Sequence, residues 1–138
     1  MYTFPNVKKY VQKWKPKKKY SKELEYRDGL LSYLRKQMNQ PSLFSKEYII
    51  KKESGRALAD IIVHDGRSKD GVGIELKYNL RTKSQTDRLY GQVDSYLREY
   101  HDVIIVLCGD TNQEQLYYLK EKIRNIPKIF QQLEIVLK

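Results

Sequence analysis

Residues 57–78 read Ala57-Leu58-Ala59-Asp60-Ile61-Ile62-Val63, then His64-Asp65-Gly66-Arg67-Ser68-Lys69-Asp70-Gly71, then Val72-Gly73-Ile74-Glu75-Leu76-Lys77-Tyr78. The first seven residues are apolar on both faces except for one carboxylate, as in a buried strand. The middle eight are rich in the glycine, aspartate and serine that a turn requires. The last seven alternate, so Ile74 and Leu76 face one way and Glu75 and Lys77 the other. The stretch is expected to form an antiparallel hairpin. With His64 opposite Val72, Asp60 lies opposite Leu76 and diagonal to Glu75 and Lys77. A slip of one residue sets Asp60 directly opposite one of those two, with Cβ atoms about 5 Å apart. Two carboxylates that close hold one hard divalent cation through oxygen ligands at about 2.0–2.6 Å. Lys77 places an ammonium beside it.

The remainder of the chain supplies partners for this hairpin. A helix capped by Ser21 is expected to run to about Met38, with Tyr26, Leu30, Leu31, Leu34 and Met38 as its buried stripe. Tyr48-Ile49-Ile50 reads as a strand. Leu89, Val93, Tyr96, Leu97 and Tyr100 recur at helical spacing over residues 85–100. Asp102 to Leu107 is a buried strand stopped by Gly109. Thr111 or Asn112 caps a further helix that Pro127 ends, and Leu133 to Leu137 is a last strand. The expected fold class is α/β, a mixed central β-sheet flanked by helices, with the order α-β-β-β-α-β followed by α and β.

At this point the sequence resembles a known family. Asp60, a spacer and Glu75-Leu76-Lys77 match the D…(D/E)-x-K signature of the PD-(D/E)XK, or restriction-endonuclease-like, nucleases, although Ala59 stands where that signature has proline. Gln92-Val93-Asp94-Ser95-Tyr96 resembles the Q-x-x-x-Y element that follows the catalytic strand in some branches. The likeness covers about Glu23 to Gly109. It implies a restriction-endonuclease-like αβββαβ core and a nuclease that hydrolyses phosphodiester bonds in DNA with Mg²⁺, for which Mn²⁺ substitutes. It further implies Asp60 and Glu75 as metal ligands, Lys77 as the catalytic lysine, and Gln92 as a support for the active-site groups or the substrate phosphate. Glu23 is the preferred candidate for the acid that relatives carry on their first helix, with Glu25 as the alternative. Arg56 and Tyr96 are candidates for contact with the nucleic acid.

Composition agrees with a nucleic-acid partner. The 138 residues carry a net charge of +10. Eight lysines and no acid fall between Met1 and Lys22, so the excess belongs to the leader. Residues 1–20 are therefore expected as a basic arm whose lysines, among them Lys17, Lys18 and Lys19, hold phosphate. Residues 21–138 are expected as the nuclease-like domain. Phe4, Tyr10, Trp14 and Tyr20 in the leader either stack on bases or pack on the domain. Val7, Tyr10, Val11 and Trp14 have the spacing of a short helix.

Other chemistries find little footing. His64 and His101 have no ligand spacing, which argues against zinc. Gly71-Val72-Gly73 lacks the third glycine of a dinucleotide loop. Cys108 continues an apolar run and is expected as a core residue. No apolar block suggests a membrane span or a signal peptide, so an intracellular protein is expected, cytoplasmic or associated with the nucleoid. A homodimer is the expected assembly for a small nuclease that cuts both strands. Two further classes compete: a nucleic-acid-binding protein on the same fold with little catalysis, and an interaction module whose basic arm meets an acidic partner protein.

Overall fold

Val7 and Val11 share one face of the first helix, α1 (Thr3–Lys13), and both are fully buried. Trp14 prolongs that face, its amide donating to the Tyr10 carbonyl at 2.9 Å, and its indole is also buried. In the computed structural model, which describes residues 3–39, 48–52, 59–65, 71–99, 102–128 and 131–138, the leader helix is thus part of the core. The packing runs unbroken from Phe4 through the helix α2 (Glu23–Met38), so residue 20 marks no edge of it. Of the two roles open to the leader's aromatics, Phe4 and Trp14 take packing. Truncating Trp14 to alanine should destabilise the protein by about 3–4 kcal/mol, as for other buried aromatics. Urea unfolding followed by circular dichroism measures this, since Trp14 is the sole tryptophan. Alanine at the exposed Lys17, Lys18 or Lys19 should change stability by less than about 0.5 kcal/mol.

Five strands follow: β1 (Tyr48–Lys52), β2 (Ile61–Asp65), β3 (Gly71–Tyr78), β4 (Asp102–Cys108) and β5 (Leu133–Leu137). They lie in the sheet order β1-β2-β3-β4-β5. The first two pairings are antiparallel and the last two parallel. The helix α3 (Lys83–Glu99) crosses from β3 to β4, and α4 (Gln113–Arg124) crosses from β4 to β5. The chain is therefore a mixed α/β fold with a five-stranded mixed sheet flanked by four helices. β4 shows why both faces need cover. Ile104, Val106 and Cys108 pack with α1 and α2, while Val103, Ile105 and Leu107 pack with residues of α3 and α4. An unbroken apolar run is what a doubly covered strand requires. Burial pushes the Cys108 thiol up to about 12, so it is an inert core group.

Helix starts depart from expectation in two places. α2 begins after Lys22, which is extended and makes no side-chain cap. Ser21 lies one residue too early to cap it, and its hydroxyl instead meets Glu25 Oε1 at 3.5 Å. α3 begins at Lys83, ahead of Gln85. Thr82 Oγ1 accepts from the Gln85 amide at 3.2 Å, and Gln85 Oε1 accepts from the Thr82 amide at 3.2 Å. This is a reciprocal capping box, legible as Thr82-x-x-Gln85. Of the two candidate caps for α4, Asn112 does the work, accepting from the Gln115 amide at 3.1 Å.

The hairpin forms in a shifted register. Ile61 pairs with Ile74, Val63 with Val72 and His64 with Gly71. That is one residue from the pairing of His64 with Val72. β2 also runs on through His64 and Asp65, both expected in the turn, because Ile49 and Tyr48 of β1 pair with them. The start expected at Ala57 lies outside the described residues, and β2 begins at Ile61.

Candidate active site

The shifted register decides which carboxylates meet. Continued by one step, it sets Asp60, at the bend before β2, opposite Glu75 of β3. Residues opposite one another across a ladder share a sheet face. Ile74 and Leu76 point to the side covered by α1 and α2. Glu75 and Lys77 therefore take the other side, under α3. The two acids are tied to one another through the backbone. Asp60 Oδ2 accepts from the Leu76 amide at 2.8 Å, the Asp60 amide donates to the Glu75 carboxylate, and the two carboxyls lie within hydrogen-bonding reach.

Burial dominates the electrostatics. It pushes the Glu75 carboxyl up to about 8, with the charges of Asp60 and Glu23 adding to the effect. The Tyr96 hydroxyl, donating to Glu75, offsets part of this. Burial likewise raises the Asp60 carboxyl, and Glu23 raises it further, while the Leu76 amide and the Arg27 guanidinium pull it back. Two carboxyls so close, both raised, hold a proton between them at neutral pH when nothing else neutralises them. Glu75 Oε2 is buried and has no hydrogen-bond partner among the described residues.

The remaining candidates fall into three groups. Lys77 is half-buried two residues beyond Glu75 on the same face. α3 joins parallel strands and so runs antiparallel to β3. Since Tyr96 reaches Glu75, Gln92, one turn earlier, stands level with Lys77. Lys77 and Gln92 thus lie on the side of the sheet that carries the acids. Tyr96 is a correction: expected against nucleic acid, it is 1% exposed with its hydroxyl on Glu75, and it positions that carboxylate. Glu23 comes near, as its influence on both acids shows, but its Oε2 accepts from the Tyr78 amide at 3.0 Å. Among the described residues no group of three His, Cys, Asp or Glu side chains is spaced to hold an ion. Asp60 and Glu75 remain as a two-carboxylate set.

Glu25, the alternative acid, meets Ser21. Lys17, Lys18 and Lys19 are exposed on the segment between α1 and α2, where the Lys18 ammonium sits 5.8 Å from the centre of the Tyr20 ring. Arg56 lies outside the described residues. Arg27 was not anticipated. It stands one turn after Glu23 on α2, paired with Asp28 at 2.9 Å, and it is the positive charge that Asp60 feels. Its i+4 spacing from Glu23 was the available signal.

Comparison of the chain with protein-family models, with curated proteins and with solved structures gives no match. No helix among the described residues is long and apolar enough to cross a membrane.

Proposed function

We propose that the protein is a metal-dependent nuclease of the PD-(D/E)XK type that hydrolyses phosphodiester bonds in DNA. The observation that carries this reading is the meeting of the Asp60 and Glu75 carboxyls under α3, with Glu75 Oε2 buried and unpartnered among the described residues. A buried carboxylate oxygen without a donor costs about 1–3 kcal/mol or more. A hard divalent cation answers that need, and oxygen donors are what Mg²⁺ and Mn²⁺ prefer. Asp60 and Glu75 would hold the ion, which supplies Lewis-acid polarisation of the phosphoryl oxygen.

The protein's own groups account for the rest. Lys77 orients or deprotonates the attacking water and offsets charge developing on the phosphate. Tyr96 fixes the Glu75 carboxylate. Gln92, level with Lys77, positions the substrate or the lysine. The exposed lysines between α1 and α2 attract the DNA backbone. The run α2-β1-β2-β3-α3-β4 has the order of a restriction-endonuclease-like core, which supports the same reading. On this proposal the protein works inside the cell, where its DNA substrate is, and two copies pair where both strands are cut.

A panel of labelled linear, circular, branched and single-stranded substrates tests the reading. Cleavage of at least one form with Mg²⁺ or Mn²⁺, and none with chelator, is expected. Binding without cleavage of any DNA or RNA would leave only a nucleic-acid-binding protein.

A further inference from the structure

Where β3 and β4 end, two turns are locked together. Asn79 and Gly109 both have positive φ, 55° and 73°. Asn79 donates its amide to the Cys108 carbonyl at 2.9 Å, and its Oδ1 accepts from the Asp110 amide at 2.7 Å. The Asn112 amide donates to the Leu80 carbonyl at 2.8 Å. A Cβ at position 109 would stand 2.4 Å from Asn79 Oδ1 and 2.8 Å from the Tyr78 ring, so only glycine permits this approach. A left-handed non-glycine residue held this firmly is a local cost of the kind that gathers at functional sites.

These turns form one side of a pocket of about 200 Å³. Tyr20 and Tyr78 wall it, with Tyr26 beneath. Tyr26 stacks on Tyr78 at 5.6 Å between ring centres and meets Tyr20 edge-on at 5.0 Å. Lys19 and Arg81 stand at the rim. The acid there, Asp110, is paired with Arg81 at 3.3 Å, so the rim keeps a positive balance. The pocket opens at the end of β3 on the side covered by α1 and α2, across the sheet from Glu75 and Lys77. Tyr78 follows Lys77 on β3, and the Tyr78 amide is held by Glu23, whose charge reaches Asp60 and Glu75.

We infer that this pocket takes one unpaired nucleotide of the DNA substrate, with its base against Tyr20 and Tyr78 and its phosphate on Lys19 and Arg81. Aromatic walls with a cationic rim suit a base joined to a phosphate better than either alone. The concavity is smaller than the roughly 300–1,000 Å³ of a cofactor-sized site. A base inside a duplex has both faces covered and does not enter such a pocket, whereas an unstacked one does. The inference names the substrate class of the proposed nuclease and in that respect rests on it.

The test separates the two. Binding is measured by fluorescence anisotropy in chelator, with a blunt duplex and with the same duplex carrying a short unpaired end. The wild type should prefer the unpaired end by about tenfold. Arg81→Ala alters an exposed side chain and should remove most of that preference while weakening blunt-duplex binding by no more than about threefold. As a second readout, 2-aminopurine at the first unpaired position should change fluorescence on binding the wild type and not the variant. Equal affinity of the wild type for both duplexes, or a variant that weakens both equally, would overturn the inference. Preference without cleavage under Mg²⁺ would instead count against the nuclease and leave the pocket standing.

Discussion

Replacing Lys77 by alanine should lower the rate of DNA cleavage by about a thousandfold while leaving DNA affinity within a few-fold of wild type. The magnitude follows from its two assigned tasks. Loss of a donor aimed at developing charge costs about 10²–10³ in rate, and loss of proton transfer to or from water costs about 10²–10⁴. Position limits the effect on binding, because Lys77 is half-buried under α3 and apart from the exposed lysines proposed to meet the DNA backbone. Asp60→Ala should cause a loss as large. Alanine at Lys17, Lys18 and Lys19 together should do the reverse: weaker binding, a shallower dependence on salt by up to about three, and little change in the rate at saturation. Single-turnover kinetics with filter binding separates the two patterns. A Lys77→Ala protein that cuts at the wild-type rate would remove this residue from the chemistry.

The second large effect concerns stability. Glu75→Gln should make the metal-free protein more stable at pH 8, by roughly 4 kcal/mol, even as it ends activity. The sign follows from the direction of the shift. The Glu75 carboxyl is raised from 4.5 to about 8 in the folded chain, by burial first and by Asp60 and Glu23 after it. The folded state thus holds the Glu75 proton more tightly than the unfolded chain. That contribution is complete below about pH 4.5 and is lost as pH rises towards 8. Glutamine carries no such proton, so its advantage is near zero at pH 4.5 and largest above 8. Urea titrations at several pH values measure it. An advantage that is constant or shrinks with rising pH would show that Glu75 is not held in the acid form.

Much of the arrangement was legible in the residues, and the failures have physical causes. The alternation Ile74-Glu75-Leu76-Lys77 fixed the face of both charged side chains, because a half-turn per residue leaves no freedom. The apolar run into Cys108 likewise meant a strand covered on both sides. The hairpin register was open because the connection from Asp65 to Gly71 is longer than the two-residue turn that locks pairing, and β1 draws His64 and Asp65 into the ladder. That single residue separates Asp60 opposite Leu76 from Asp60 opposite Glu75.

Trp14 shows another limit. An aromatic among lysines has the composition of a base-stacking arm, and only the helical spacing of Val7, Val11 and Trp14 marked it as core. Tyr96 was singled out for the right neighbourhood and the wrong neighbour, since spacing places a side chain on a face without telling what lies across from it. Glu23 was selected from its position at the edge of the α2 stripe. Its bond to the Tyr78 amide, 55 residues away in sequence, has no local signal.

The account depends on Asp60 and Glu75 sharing one cation, and calorimetric titration of Mn²⁺ into the wild type, Asp60→Asn and Glu75→Gln proteins at pH 6 and pH 8 tests this most directly. The wild type should bind more tightly at pH 8 and release protons on binding at pH 6, because the ion displaces the proton that the paired carboxyls otherwise hold. Each single substitution should weaken binding by at least about tenfold. Wild-type protein that takes up no Mn²⁺ at either pH, or binding that both substitutions leave unchanged, would contradict it.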